Sequence, residues 1–269
     1  MSMRRWPADD LADDAWHRFL GEAIGGLREA ARRVREPAST ERRPGWFGKS
    51  NKAFKGAKLP DETSISQALI EAMEEIRDEQ FIVAPSRGSS IPNLTGMDFH
   101  VEVARRYDPA IGPRAQPTDI QLAIHRDRLD LRLEAKKLTR LGDIAADYLG
   151  ADGLGRFDDA CAPYTLERFG GMLAYVTDRD AAEWTLLISE GIRAALPSDR
   201  VKTTLLLGDE IITTTHLRDV DIAVHGIQGR FSTDVVHLVF EFDAWPNRRI
   251  ASSNDRIDDR RTKEAQPEG

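Results

Sequence analysis

The sequence predicts an α/β (α+β) domain in which helices flank a mixed central sheet, with a helical extension at the N-terminus. Apolar residues recur at helical spacing through residues 61–79, whereas they alternate with polar residues through 97–107. Short, nearly continuous apolar runs at 171–176 and 234–242 are typical of strands. Helical and strand segments mixed in this way indicate a domain of this class.

Composition and charge restrict the function classes. The chain has 269 residues, 41% hydrophobic and 31% charged, so one globular domain with appendages is expected. Its net charge of −7 argues against a protein that coats nucleic acid indiscriminately, but it is compatible with an enzyme that gathers acidic residues around metal ions. No apolar run is long enough to cross a membrane and no secretory signal is visible, so we expect a cytoplasmic protein without a membrane partner. A single cysteine, Cys161, excludes an intramolecular disulfide.

The chain divides into three parts. Residues 1–60 are predicted to form an N-terminal helix, over 8–36, and then a basic linker. Residues 61–250 are predicted to form the main domain. The final stretch, 251–269, has almost no apolar content and is predicted to be a disordered tail.

Finer predictions follow from local patterns. The pair Gly25-Gly26 is expected to bend or interrupt the N-terminal helix. Within the main domain the patterns also predict strands at 81–84 and 221–227 and helices at 141–148 and 181–196.

Residues 117–138 (PTDIQLAIHRDRLDLRLEAKKL) carry the most informative pattern. Apolar residues alternate along two segments on either side of a turn at 126–127. If these segments fold back as a hairpin in which paired residue numbers sum to 253, every apolar residue meets an apolar partner and Asp119 faces Glu134. Lys136 then lies next along the same face.

This hairpin brings like charges together. Facing side chains on adjacent strands have Cβ atoms about 4.5 to 5.5 Å apart, and two carboxylates at about 4 Å repel by roughly 4 kcal/mol at an effective dielectric of about 20. A divalent cation resolves that repulsion, and Mg²⁺ typically takes one or two carboxylates together with phosphate oxygens. Asp119 and Glu134 are therefore candidate metal ligands. Lys136 is a candidate for orienting or deprotonating a water and for neutralising charge on phosphorus.

At this point the chain resembles the PD-(D/E)XK superfamily of restriction-endonuclease-like nucleases. Residues 117–119 (PTD) correspond to the PD motif with one extra residue, and 134–136 (EAK) match ExK. The likeness is close over 117–138 and loose over 61–243. It implies a restriction-endonuclease-like sheet, catalytic roles for the Asp, Glu and Lys of these motifs, and Mg²⁺ (or Mn²⁺) as cofactor.

Further site residues are candidates. The resemblance implies an additional acid from the preceding helix, and Glu71 is favoured there over Glu62, Glu74 and Glu75. Candidates for substrate contact, each of which could instead be a structural residue, are Gln121, Arg156, His216 and Arg218.

The resemblance implies a Mg²⁺-dependent nuclease that hydrolyses phosphodiester bonds, with DNA favoured over RNA as its partner and bacterial anti-phage defence as its setting. The active form could be a homodimer or could require a partner subunit. Two alternatives stay open. One is a catalytically silent binding or scaffold subunit of a larger defence or DNA-processing complex; the other is a metal-dependent phosphohydrolase of small nucleotides, which a closed pocket would indicate.

Overall fold

One seven-stranded mixed sheet organises the fold. The computed structural model describes residues 10–35, 61–82, 92–104, 117–159, 163–176, 179–222 and 227–242. The helices are α1 (Asp10–Arg35), α2 (Glu62–Ile82) and α3 (Ala181–Ala195). The strands are β1 (Asp98–Ala104), β2 (Pro117–Ile124), β3 (Leu129–Leu138), β4 (Phe169–Val176), β5 (Val201–Leu206), β6 (Asp209–Ile222) and β7 (Ile227–Glu241), in the sheet order β1-β2-β3-β4-β7-β6-β5.

The centre of the sheet is parallel and its two sides are antiparallel. Strand β4 pairs in parallel with β3 and with β7, whereas the β1–β2, β2–β3, β5–β6 and β6–β7 pairs are antiparallel. Every residue of β4 is buried, as expected for a parallel central strand covered on both faces. The predicted mixed α/β class is confirmed, while likeness to restriction endonucleases stays a prediction.

Helices α1 and α2 cover one face of the sheet. Their apolar residues form one core cluster with the apolar side of the β2–β3 hairpin. The Gly25-Gly26 pair does not interrupt α1, which is continuous. A Cβ at Gly26 would lie 2.8 Å from Met73 Cε and 3.0 Å from a Leu94 methyl. The glycine therefore allows α1 to approach α2 closely, and this packing overrides its low helix propensity.

The opposite face carries a second core cluster. It consists of α3, of a short helical segment that continues as the π-helix Ile144–Tyr148, and of the 3-10 helix Leu154–Asp158. Trp184 and Ile188 of α3 pack here with Met172 of β4 and Phe157. The predicted helix at 141–148 is thus helical but largely of the π type, which is rare and often found at functional sites.

One strand prediction is wrong, and a second lies partly outside the described residues. Residues 81–82 of the predicted strand 81–84 are the last turn of α2, where Phe81 and Ile82 are 66% and 85% exposed. Of the predicted strand 221–227, Asp221 and Ile222 end β6 and Ile227 begins β7, while 223–226 lie outside the described residues. The β5–β6 hairpin was not predicted, because its threonine-rich strands lack a strong apolar alternation.

Some predictions fall outside the described residues. These are the basic linker at 37–60, the disordered tail at 251–269 and any role for Cys161. Across the ranges that the structure describes, no helix combines the length and the apolar character needed to cross a membrane.

The close packing of β4 can be tested at Gly171. A Cβ at this position would overlap Leu133 Cδ2 and lie 3.2 Å from Val236 Cγ2, and Leu133 is fully buried. We expect Gly171→Ala to lower the free energy of unfolding by about 1–3 kcal/mol, because overpacking displaces core side chains. Urea denaturation measures this change. The matched control is Gly142→Ala, where no heavy atom lies within 4 Å of the added Cβ, and equal stability of the two variants would contradict the packing described here.

Candidate functional site

The β2–β3 hairpin has the register that the sequence predicts. Paired residues run from Ile120 with Leu133 to Ile124 with Leu129, and each pair sums to 253. A 3-10 turn joins the strands, and Arg128 closes it with a φ of 56° in the left-handed region. Asp119 immediately precedes Ile120, on the face opposite the α1–α2 core, and the described register ends before it, so the predicted pairing of Asp119 with Glu134 is not part of the ladder.

Beyond the point where the pairing of β2 with β3 ends, side-chain carboxylates accept the hydrogen bonds of the β3 backbone. Asp119 Oδ2 accepts a hydrogen bond of 2.7 Å from the backbone N–H of Ala135. Glu62, the first residue of α2, accepts one of 2.6 Å from the backbone N–H of Lys137 through its Oε1. These backbone donors would otherwise need another acceptor. These hydrogen bonds therefore hold the side chains of Asp119 and Glu62 beside β3.

Glu134 and Lys136 form an enclosed ion pair. Lys136 Nζ lies 2.7 Å from Glu134 Oε1, and the two side chains are 15% and 8% exposed. The other carboxylate oxygen of Glu134, Oε2, is buried and accepts no well-formed hydrogen bond. The Tyr164 hydroxyl and the Asp119 carboxyl group lie close enough to Glu134 to interact with it, but the Tyr164 hydroxyl hydrogen is donated to the Asp152 carbonyl oxygen. Leaving an ionised oxygen in this state is unfavourable, so this atom is poised to take up a proton or a cation.

The site's pKa values are strongly shifted. Burial raises the pKa of Glu134 to about 7, and the charge of Asp119 adds to this effect while Lys136 opposes it. Burial also raises the pKa of Asp119, against the opposing effect of the Ala135 N–H. The pKa of Lys136 is raised overall. Burial acts to lower it, but the nearby carboxylates of Glu134, Glu62 and Asp119 have the larger combined effect. Shifts caused by burial together with specific charge partners are typical of functional sites.

Tyr164 is a neighbour of the site that sequence reasoning missed. Its hydroxyl donates a hydrogen bond of 2.8 Å to the Asp152 carbonyl oxygen. It also lies close enough to Glu134 for each group to influence the pKa of the other. The segment after the π-helix therefore folds over β3. No local sequence signal marks Tyr164, because its position depends on an irregular segment distant in sequence from Glu134.

The helix acid at the site is Glu62, and the choice of Glu71 is corrected. Glu71 accepts a hydrogen bond of 3.0 Å from the Gln67 side chain. It lies nine residues beyond Glu62, or roughly 13 Å along the helix at about 1.5 Å per residue. The charge of Glu62 contributes to the pKa values of Asp119 and Lys136. The signal that could have found Glu62 is its place in the first turn of α2.

Two further candidates have local partners. Gln121 is buried on the same face as Asp119, and its amide donates a hydrogen bond of 2.9 Å to Asp130 Oδ2. Arg156 forms ion pairs with Asp152 at 2.8 Å and with Asp159 at 3.2 Å. Both side chains are therefore engaged by acidic residues of the fold, Asp130 for Gln121 and Asp152 and Asp159 for Arg156.

His216 and Arg218 are buried in the middle of β6, not at a strand end. They are 0% and 3% exposed. Arg218 donates to the backbone oxygens of Phe157, at 2.7 Å, and of Thr165. His216 Nδ1 lies 3.0 Å from Asp158 Oδ2. Because the segment around Phe157 covers them, they have no surface to offer a phosphate, which corrects that expectation.

The donor set is a pair of carboxylates. In the part of the chain that the structure describes, no three acidic, histidine or cysteine side chains are already arranged as a metal-ligand set. Asp119 and Glu134 supply two, an ordinary number for Mg²⁺, which keeps several waters. Comparisons of the chain with protein-family models, curated proteins and solved structures find no match.

The raised pKa of Glu134 predicts a pH-dependent stability. Glutamate in the unfolded chain titrates near 4.5, whereas Glu134 in the fold titrates at about 7. Between these values the folded state holds a proton that the unfolded state has released, so stability falls as pH rises. The loss is at most about 3 kcal/mol. Urea unfolding between about pH 4.5 and 7.5 measures it.

The variant Glu134→Gln cannot ionise, and its free energy of unfolding should change less across this pH range than that of the wild type. The matched control is Glu190→Gln on the exposed side of α3, which should keep the wild-type slope. Equal slopes for Glu134→Gln and the wild type would show that Glu134 ionises normally in the fold.

Proposed function

We propose that the chain is a Mg²⁺-dependent nuclease that hydrolyses phosphodiester bonds through Asp119, Glu134 and Lys136. The observation that carries the proposal is the buried Glu134 oxygen without a hydrogen-bond partner, beside a second carboxylate and a lysine. DNA as the preferred substrate and a role in anti-phage defence rest on the resemblance to the PD-(D/E)XK motif alone. A homodimer or a partner subunit is likewise a proposal, and a cytoplasmic location is proposed from the lack of a long apolar run and of a secretory signal pattern in the sequence.

The residues present fit a Mg²⁺ ion. Asp119 and Glu134 would hold it with oxygen atoms, the ligands that Mg²⁺ prefers. A divalent ion also relieves the unfavourable state of the two acids, because their high pKa values reflect repulsion and poor solvation that a cation offsets. When bound, the ion supplies polarisation of the phosphate and a lower pKa for a coordinated water.

Lys136 acts as a cation in this proposal. Its raised pKa keeps the ammonium group protonated beside Glu134. It can therefore donate hydrogen bonds to a water or to a phosphate oxygen and offset negative charge that grows on phosphorus. A role as the base that removes a proton from water is not supported by this charge state. Glu62 contributes by raising the Lys136 pKa and Asp119 by its fixed position on Ala135.

The enclosure of the site favours a second candidate, a phosphohydrolase of small nucleotides. Glu134 and Lys136 are largely buried, whereas a nuclease for long duplexes needs an open groove. A silent scaffold subunit is the weaker reading, because an inactive protein gains nothing from a buried carboxylate oxygen without a partner. The substrate range therefore needs to be measured directly.

The full-length protein should cleave DNA with Mg²⁺ or Mn²⁺ and lose this activity in EDTA. Plasmid, linear duplex, single-stranded DNA, RNA and a p-nitrophenyl ester of thymidine monophosphate serve as substrates. We expect Glu134→Gln and Lys136→Ala each to lower the rate by about 10²-fold or more, because each removes a charge needed in the transition state. Calorimetric titration with Mg²⁺ measures ion binding separately, and Glu134→Gln should abolish it.

The control Glu190→Gln should retain full activity, and folding of every variant is checked by circular dichroism. Hydrolysis of the small ester alone would favour the second candidate. Mg²⁺ binding that depends on Glu134 without any hydrolysis would favour the scaffold. Cleavage that persists in both site variants, or the absence of both cleavage and Mg²⁺ binding, would overturn the proposal.

A further inference from the structure

Tyr164 turns its hydroxyl oxygen, and not its hydroxyl hydrogen, toward the candidate site. A phenol has a single hydrogen to donate, and Tyr164 donates it to the Asp152 carbonyl oxygen at 2.8 Å. The same hydroxyl lies close enough to Glu134 to interact with it. The lone pairs of Tyr164 Oη, which can only accept, are therefore what the hydroxyl offers to Glu134.

Glu134 meets this acceptor with another acceptor. Its Oε1 accepts a hydrogen bond of 2.7 Å from Lys136 Nζ, whereas its Oε2 is buried and accepts no well-formed hydrogen bond. The carboxyl group of Asp119 also lies close to Glu134, and only its Oδ2 is used by the backbone N–H of Ala135. Buried acceptors that lie together in this way are stabilised by a donor or a cation between them.

The acceptor that holds the hydroxyl hydrogen is fixed by a tight turn. The backbone N–H of Gly153 donates a hydrogen bond of 3.0 Å to the Gly150 carbonyl oxygen. A Cβ at Gly153 would lie 2.2 Å from the Asp147 carbonyl oxygen and 2.4 Å from that of Tyr148, so only glycine allows this close approach. The turn sets the position of the Asp152 carbonyl and with it the direction of the hydroxyl hydrogen.

The ring of Tyr164 is held in place as well. It is 4% exposed and packs edge-on against Phe157, with the ring centroids 5.3 Å apart. The buried Arg218 guanidinium donates to the carbonyl oxygens of Phe157 and of Thr165, the residue after Tyr164. Rigid support on both sides gives the hydroxyl oxygen the defined position that a contact to a bound ligand needs.

The hydroxyl of Tyr164 stays protonated and neutral. Burial raises its pKa, and the charge of Glu134 adds to this effect. A neutral phenol is a poorer ligand for Mg²⁺ than a carboxylate, and bound Mg²⁺ usually keeps several of its waters. Those waters are hydrogen-bond donors, and acceptors around them orient a metal site and strengthen it. The oxygen of Tyr164 is suited to this role.

We propose that Tyr164 is a positioning residue of the Mg²⁺ site, whose hydroxyl oxygen accepts a hydrogen bond from a water on the ion that Asp119 and Glu134 hold. This inference rests on the proposed function. Without the Tyr164 oxygen, such a water would have a hydrogen without an acceptor in a buried place, and Mg²⁺ would bind more weakly.

Calorimetric titration of the full-length protein with Mg²⁺ tests this role. We expect Tyr164→Phe, which removes only the hydroxyl group, to weaken Mg²⁺ binding about tenfold. The matched control Tyr148→Phe also removes a buried hydroxyl from the region between β3 and β4, but one that is hydrogen-bonded to His237, and it should keep the wild-type affinity. Equal or tighter binding by Tyr164→Phe would overturn the inference. Tighter binding would mean that the hydroxyl hydrogen is directed at Glu134.

The variant Glu134→Gln separates this inference from the proposed function. If Glu134→Gln loses Mg²⁺ binding while Tyr164→Phe keeps the wild-type affinity, the role of Tyr164 alone is refuted. If Mg²⁺ binding persists in Glu134→Gln, the proposed site is refuted and the role of Tyr164 with it.

Carbon-13 NMR of the wild-type protein gives a readout that a purely structural tyrosine would not change. In protein labelled at tyrosine Cζ, the carbon bonded to the hydroxyl, Mg²⁺ should shift the Tyr164 resonance and leave that of Tyr148 in place. The chain has four tyrosines, so phenylalanine variants of the other three assign the Tyr164 signal. A Tyr164 signal that stays constant while calorimetry shows Mg²⁺ binding would overturn the inference, even if Tyr164→Phe does not fold.

Discussion

Strands β2 and β3 pair through residues whose numbers sum to 253, and this register decides what each face of the sheet can do. It directs the apolar residues of both strands into the core formed with α1 and α2. The same parity directs Glu134 and Lys136 to the opposite face. A slip of one residue would place the charges under α1 and α2 and turn the leucines to the opposite face. The hydrophobic effect that stabilises one face thus fixes the position of the acids on the other.

The ionised form of Glu134 is electrostatically unfavourable in the candidate site, because the side chain is buried and lies near the charge of Asp119. Glu134 is nearly covered, with one oxygen held by Lys136 and the other accepting no well-formed hydrogen bond. Asp119 and Glu62 do not relieve it, because they are bound to backbone donors of β3 and add negative charge. Proteins usually keep such unfavourable arrangements where a ligand removes them. A raised carboxyl pKa and an affinity for cations are two consequences of the same poor solvation.

The second face of the sheet is unusually polar for a covered surface. One row across three strands contains Glu134, Met172 and His237, so a single strand separates Glu134 from His237, and their backbones are about 10 Å apart. Tyr148, at the end of the π-helix, is hydrogen-bonded to His237, and Tyr164 lies beside Glu134. Residues between β3 and β4 therefore contact both Glu134 and His237.

The sequence by itself determined the mixed sheet, the hairpin register and the neighbourhood of Asp119, Glu134 and Lys136. These features depend on a two-residue alternation and a short turn, both of which are local. Only the tertiary structure decided that Glu62 and not Glu71 joins them, that Tyr164 covers Glu134, and that His216 and Arg218 are buried. The physical reason is that the surroundings of a strand face depend on segments that are distant in sequence. The alternation of apolar and polar residues is the same for a strand face that contacts solvent and for one that is covered. Only the folded position of the region between β3 and β4 shows that this face is covered.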